Sequence, residues 1–485
     1  MIDKVTYKKT EEAMFKKTKL DLTQGPLFIP MLSFVLPIML TGILQILYNM
    51  ADNIVVGRYS GDPYALAAVG STTSLTNLVL NFIMGIASGA GVVVAQSFGA
   101  KDDRTLSRAV HTAMAFSLIG GICFSAIGIL ISKPALIAMG TLPELQDNAI
   151  LYMRIICAGI PASAVYNYAA TILRSVGDSK TPLIILSSSG IANVLLNLLF
   201  VIVFRMSVAG VALATIIAQV LSAIVVVYIL WKRKDKNYSL SFSKLGIEKA
   251  MLLRILRFGI PAGIQGSLFS IANVIITTAA NTFTSAVISA KTIAGNIDGL
   301  LYTALNSYMH ASMTFTGQNY GAKKVDRIKK STIYGVIQVL SIGTALALLM
   351  LSFGRELSML YIDSSADPNF NEEVLHYTLK ILTLMLPTYA LCGMMETLAG
   401  ALRGIGYSIT PMIVNLVGSC GSRILWVYLF FPMEIFNSIT GLYLIYPISW
   451  ILTSIAHFTV LSIAWQKMQK QLKQDEIEKI AETVS

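Results

Sequence analysis

Charged side chains are scarce in this chain. Asp, Glu, Lys and Arg make up 13% of its 485 residues, against about 25% in ordinary soluble domains. No polar stretch is long enough to build a solvated globule, which excludes a soluble domain carried on one anchor. Cysteine is nearly missing. Cys123, Cys157, Cys392 and Cys420 all fall within apolar runs and form no CxxC pair, so neither a disulfide framework nor a zinc site is supported. His111, His310, His376 and His457 show no metal-ligand spacing, and no HExxH, GxSxG or P-loop occurs. The expectation is no enzyme, no catalytic residues, no metal and no cofactor. A cleavable signal peptide is not expected either, because the first apolar run is too long for one and no small-residue cleavage pattern follows it.

What is present is apolar. Hydrophobic residues supply 55% of the chain, and mean hydropathy is +0.67. Twelve apolar spans can be read, near 31–55, 64–97, 104–131, 146–172, 182–204, 208–231, 253–280, 286–318, 328–353, 373–401, 411–431 and 439–466. Each is long enough to cross roughly 30 Å of hydrocarbon at about 1.5 Å per residue. The fold class expected is an all-α membrane protein of twelve transmembrane helices.

The formal net charge of +11 reports topology rather than nucleic-acid binding. Basic residues cluster in the N-terminal tail, in the 101–108 and 323–330 turns, in the linker after Trp231 and after Trp465, and Arg174, Lys180 and Arg403 follow the same side. This pattern satisfies the positive-inside rule with both termini in the cytoplasm. The longest loop on the other side holds Glu356, Asp363, Asp367, Glu372 and Glu373.

The chain also repeats itself. "AQSFGAKDDR" and "GQNYGAKKVDR" place Ala100 and Ala322 222 residues apart. Pro37 matches Pro261, Pro161 matches Pro387, and "LRSVGDSKTP" matches "LRGIGYSITP". A fixed spacing near half the chain length marks a duplicated unit. The expected organisation is an N-terminal tail (1–30), an N-lobe (31–231), a linker (232–250), a C-lobe (251–466) and a C-terminal tail (467–485). Six spans per lobe give both halves the same orientation, hence parallel repeats, as in transporters that rock around a midplane site. The GAK turn reads as a helix stop, its glycine free to take a left-handed conformation, followed by a basic anchor.

Ionisable groups inside the spans cost about 2.5–3.5 kcal/mol each unless paired or hydrated, so the few present are candidates. Gln45, Tyr48, Asn49 and Asp52 share one helical face, which suggests a cavity wall; an interfacial aspartate is the alternative. Asp298 follows Lys291 by two turns on the eighth span and could receive a cation, or bond another helix. Glu396 lies deeper toward the turn and reads as gating or structural. The repeated Pro37, Pro161, Pro261 and Pro387 mark bends. Phe269, Tyr302, Met309 and Met394 could line a plastic drug cavity, as could Met313 and Met395, though packing is the commoner use of such residues.

"LYNMADNIVVGRYSGDPYALAAVG", "AQSFGAKDDR", "LRSVGDSKTP", "TFTGQNYGAKKVDR" and "LRGIGYSITP" together resemble the multidrug and toxic compound extrusion (MATE) family, in its Firmicutes-type, MepA-like branch. The resemblance covers about residues 25–465. It implies an N-lobe and a C-lobe, export of small-molecule drugs in exchange for H⁺ or Na⁺, and an ion site in the N-lobe. Some family members complete that site with an Asn and an Asp four apart on helix 5 and a Thr on helix 6. Asn193, Asn197 and Thr215 stand at those places, with Asn197 where the family carries Asp. Asn keeps an oxygen but loses the titratable charge, leaving Asp52 as the one carboxylate. A proton needs only that carboxylate, which favours H⁺; buried amides could instead join helices. In the C-lobe the family's helix-7 acid has no counterpart near Phe269, and Cys392 replaces its helix-10 acid.

The expected function is a secondary drug antiporter of the bacterial plasma membrane, monomeric and surrounded by lipid. A lipid-linked oligosaccharide flippase of the same superfamily is the nearer alternative, and a membrane receptor or structural protein the more distant one. The topology has a direct test. Single cysteines at Ser241 and Asn369 should react with impermeant reagents from opposite sides of the membrane, because three spans, an odd number, separate them. Labelling from the same side would refute the twelve-span arrangement.

Overall fold

The computed structural model describes residues 21–234, 236–362 and 367–484. The first twenty residues of the expected tail, and Asp363 of the acidic loop, lie outside the described residues. Among those described, the chain is helical throughout and contains no strand. A helix occupies every expected span. In order they are α1 (Phe28–Tyr59), α2 (Ala65–Gly99), α3 (Asp103–Ala138), α4 (Pro143–Ala158 and Ile160–Ser175) and α5 (Lys180–Val203). There follow α6 (Ser207–Lys232), α7 (Lys249–Ala280), α8 (Ser285–Gly321), α9 (Val325–Ser352), α10 (Pro368–Gly404), α11 (Ile409–Phe430) and α12 (Ile439–Val484). Most of these segments are apolar enough over an 18-residue stretch to cross a membrane by composition alone. By length α7 and α8, with 32 and 37 residues, exceed the roughly 20 needed. α8 is the less apolar of the two, because of polar residues such as Lys291, Asn296 and Asp298.

The chain forms two compact units, 1–259 and 260–485. The division falls inside α7 rather than in the linker. Met251 and Ile255 from the first turns of α7 are buried in the first unit's core with Val93, Leu106 and Ile172. Gly89 of α2 lets the α7 backbone approach so closely that a methyl there would stand 2.4 Å from the Gly259 nitrogen. The linker itself is docked on the same unit. Tyr238 and Leu240 are buried, Arg233 pairs with Asp178 at 2.9 Å, and the Ser241 N–H donates to His111 Nε2 at 3.0 Å.

The repeated prolines act differently from one another. Pro161 opens the second half of α4, where the helix bends by 45°. Pro387 sits in a single 3₁₀ turn, Leu386–Thr388, within α10. Pro37 and Pro261 lie inside uninterrupted α-helix. Because proline has no N–H to donate and its ring crowds the preceding turn, each leaves a weak point, but only the first two coincide with a visible break.

The repeated turns show a matched geometry with one departure from expectation. After α2, the Lys101 N–H donates to Phe98 O at 3.1 Å and the Asp102 N–H to Ser97 O at 3.1 Å. After α8 the same pair runs from Lys323 to Tyr320 and from Lys324 to Asn319. This is the Schellman arrangement, yet the left-handed residue is Lys101 or Lys323, both at φ 56°, and not the glycine of GAK, which remains helical. The second repeated pair uses glycine as expected, with Gly177 at φ 94° and Gly406 at φ 97°. Asp102 then caps α3 by accepting from the Thr105 N–H at 3.0 Å, and hydrogen bonding from Thr105 holds its carboxyl below the usual value.

Left-handed backbone costs a residue with a Cβ about 1–2 kcal/mol. Lys101→Gly and Lys323→Gly should therefore raise the thermal midpoint of the purified protein. Gly406→Ala should lower it by an effect on the order of 1 kcal/mol. Equal midpoints in all three variants would show that these turns carry no strain.

Candidate functional site: a carboxylate among amides in the first unit

Helix α1 packs on both α5 and α6. Small residues make this possible. Gly190 of α5 lies beneath the Tyr48 ring, where an added methyl would come within 1.9 Å of the ring carbons. The Tyr48 hydroxyl donates to Ser187 O at 3.2 Å, which seats one turn of α1 against α5. One turn further along, Asp52 faces the same neighbours.

Three neutral polar side chains converge on the Asp52 carboxylate. The Asn197 amide nitrogen donates to Oδ1. The Thr215 hydroxyl reaches Oδ2 at 3.4 Å and also donates to Val211 O at 3.0 Å. Asn193 satisfies both ends of its amide when its nitrogen faces Asp52 Oδ1 at 3.0 Å and its oxygen accepts from the Thr215 N–H at 3.3 Å. Asn197 is fully buried and its Oδ1 has no donor among the described residues. No basic side chain is paired with Asp52 there. A carboxylate held only by neutral donors can exchange a proton without breaking an ion pair, and the spare amide oxygen beside it is an acceptor for a cation. Immediately after Asn197 and Leu198, α5 widens into a π-helical turn, Leu199–Val203, a feature frequent at functional sites.

The sequence-level stripe on α1 divides. Tyr48 and Asp52 turn toward α5, while Gln45 and Asn49 are exposed. A 3-1-3 spacing spreads the four residues over an arc of the helix as two i, i+4 pairs, of which Tyr48 and Asp52 lie on the packed edge and Gln45 and Asn49 beyond it.

The second unit gathers its candidates elsewhere. Asp298 is half-buried on α8, near the Tyr389 side chain of α10. Tyr302 is 40% exposed. Met309 is buried, and its sulfur accepts from Arg403 Nη1 at 3.4 Å. Met394 packs against the Leu398, Leu402 and Leu461 core. Phe269 lies beneath the Arg423 guanidinium at 5.7 Å. Glu396 is buried. Arg403, counted by sequence among the basic residues of the cytoplasmic side, is buried and bonded to Gln265 Oε1 at 2.7 Å. Sequence reading counted charge by its position along the chain; the α10 end is tucked against α8, where Gly400 and Gly404 bring the backbones together, so the side chain has no path to solvent. Gln265, Asn273 and the His457–Asn415 pair, joined at 2.9 Å, were not singled out from sequence. Isolated amides on apolar helices give no periodic signal. No cluster of three or more His, Cys, Asp or Glu suited to a metal occurs among the described residues.

This architecture, helical throughout the described residues with most helices apolar enough to cross a membrane, is that of a multi-pass membrane protein. A solved MATE structure, in complex with MaL6, superposes with a TM-score of 0.86 at 21% identity, covering 93% of this chain and 98% of the other. The chain belongs to the MatE family, whose model matches residues 37–199 and 261–429; it is a transporter and not an enzyme. A probable multidrug resistance protein, YoeA of Bacillus subtilis, is 27% identical over 90% of this chain and 94% of its own. The multidrug export protein MepA of Staphylococcus aureus is 26% identical over 52% of this chain and 56% of its own.

The seat of Tyr48 can be tested. Gly190→Ala should lower both thermal stability and transport, because the methyl overlaps the ring. Adding Tyr48→Leu should restore stability, since a smaller flexible side chain can yield. If the single variant matches the parent in both properties, α1 is not held against α5 in this way.

Proposed function

We propose that this chain is a secondary antiporter that exports cationic or amphipathic drugs in exchange for protons, with Asp52 as the coupling group. The observation that carries the reading is the half-buried Asp52 carboxylate, held by Asn193, Asn197 and Thr215 with no basic partner among the described residues. A negative charge in such surroundings is costly, so a proton or a cation arriving there has a large effect on how α1 sits against α5 and α6. Two relatives whose names describe multidrug resistance and multidrug export support the choice of substrates. The same reading puts the protein in the bacterial plasma membrane as a monomer with both termini inside.

Coupling to H⁺ follows from a count of charges. One carboxylate is neutralised by one proton, whereas Na⁺ must give up its hydration for one carboxylate and neutral oxygens. The orphaned Asn197 Oδ1 favours a second reading, coupling to Na⁺, because it offers a dehydrated ion one more ligand. Proteoliposomes separate the two. A pH gradient alone, in Na⁺-free buffer, should drive drug movement. Movement driven by a Na⁺ gradient with pH clamped, and lost without Na⁺, would assign Na⁺.

Asp52→Asn should abolish gradient-driven export at unchanged membrane levels, since no titratable group then remains in the cluster. Full retained export would move coupling to another acid, Asp298 first. Asn197→Asp places a second carboxylate beside the first and should displace the pH dependence of export, because like charges interact strongly at low dielectric. An unchanged profile would separate Asn197 from coupling.

A further inference from the structure

Arg423 is 2% exposed, and no ion pair compensates it among the described residues. Its Nη1 donates to Asn273 Oδ1 at 3.2 Å. Its guanidinium lies 4.3 Å from the centre of the Tyr446 ring and 5.7 Å from that of Phe269. Nε has no partner. The edge a guanidinium uses to grip a carboxylate or phosphate with two parallel hydrogen bonds is therefore open.

Three features distinguish this residue from a structural arginine. A buried charge with no counter-charge is strongly destabilising, and aromatic faces and one amide offset only part of that. The other buried arginine of the unit, Arg403, has the buried acid Glu396 acting on its charge; among the described residues no carboxylate forms an ion pair with Arg423. The local backbone is irregular as well. Arg423 occupies a four-residue α-helical stretch, Ser422–Leu425, between the π-helical turns Leu416–Gly421 and Trp426–Phe430, and π turns concentrate at functional sites. The way in is short. Asn273 is exposed, and Phe269 and Tyr446 are half-buried, so moving the Asn273 amide uncovers the guanidinium.

We infer that Arg423, with Asn273, Phe269 and Tyr446, forms a receptor for the acidic group of a planar aromatic anion, and that the substrates of this transporter include such anions. The inference rests on the export reading for its transport consequence, but the binding site stands on its own geometry. The anion's oxygens take the open edge formed by Nε and the adjacent Nη2, while the Asn273 amide, bonded at Nη1, moves aside to admit the ligand. Its ring lies against Tyr446 and Phe269. An arriving anion supplies the missing counter-charge, and it does so without involving Asp52, which belongs to the other unit.

The test compares two dyes of one shape and opposite charge, fluorescein and rhodamine 6G, by fluorescence-polarisation binding to the purified full chain. Loss of a bidentate charge-assisted pair predicts that Arg423→Gln weakens fluorescein binding by about tenfold or more. Rhodamine 6G should change by less than about twofold, as charge-assisted contacts do not serve it. Arg423→Lys keeps the charge but not the fork, and should fall between parent and Gln. Asn273→Asp supplies an internal carboxylate in the ligand's place. It should weaken fluorescein binding while leaving the thermal midpoint equal or higher, so the proposal remains testable if Arg423→Gln fails to fold. Equal loss of both dyes in Arg423→Gln, or unchanged fluorescein affinity in Asn273→Asp, would overturn the assignment. Gradient-driven rhodamine 6G export, measured separately, tests the export reading: its absence with fluorescein binding intact would refute export and leave the site.

Discussion

One half-buried carboxylate, Asp52, organises the packing of α1 in the first unit. Asp52 joins three helices through donors that carry no charge, Asn197 and Asn193 from α5 and Thr215 from α6. In water this would be a weak association. Within a span it is consequential, because an unsolvated carboxylate must be held by hydrogen bonds or neutralised. The close seat of α1 on α5, made by the missing side chain at Gly190, is what lets the amides reach it. Packing and electrostatics are therefore one constraint here: a bulkier residue at Gly190 would separate the helices, and an uncharged residue at position 52 would remove what the amides hold.

The second unit solves a related problem with other chemistry. It buries two arginines, Arg403 and Arg423, and satisfies them partly through amides, a methionine sulfur and aromatic faces. The two halves of a duplicated chain have thus diverged in how they hold particular charges, an acid among neutral amides at Asp52 in one and a cation among aromatic faces at Arg423 in the other. Duplication preserved the scaffold, including the paired Schellman turns and the wide π turns of α5 and α11, while the buried polar groups changed. That division is physically reasonable. Helix lengths and turns answer to the thickness of the bilayer and to backbone geometry, which are common to both halves; buried charges answer to what each half must bind.

The helices were legible in the sequence because an apolar run of twenty residues has essentially one stable form in a bilayer, where every backbone group must be satisfied internally. The duplication was legible because spacing survives divergence at turns such as GAK and LRxxG. Asp52 was legible because an acid in an apolar span is rare, and Asn193, Asn197 and Thr215 through their place in a family pattern.

Tertiary structure alone decided the rest. It turned Tyr48 and Asp52 inward and left Gln45 and Asn49 exposed, because the direction of a helix face depends on which neighbour packs against it. It put the left-handed residue at Lys101 and Lys323 rather than at the preceding glycine, because the last helical hydrogen bond, and not residue preference, sets where a helix stops. It buried Arg403, which by chain position counted among the basic residues of the cytoplasmic side, and enclosed Arg423 between rings contributed by residues 269 and 446. A single sequence carries local periodicity well, but the partners of a buried charge are distant in the chain, and only the packing of helices brings them together.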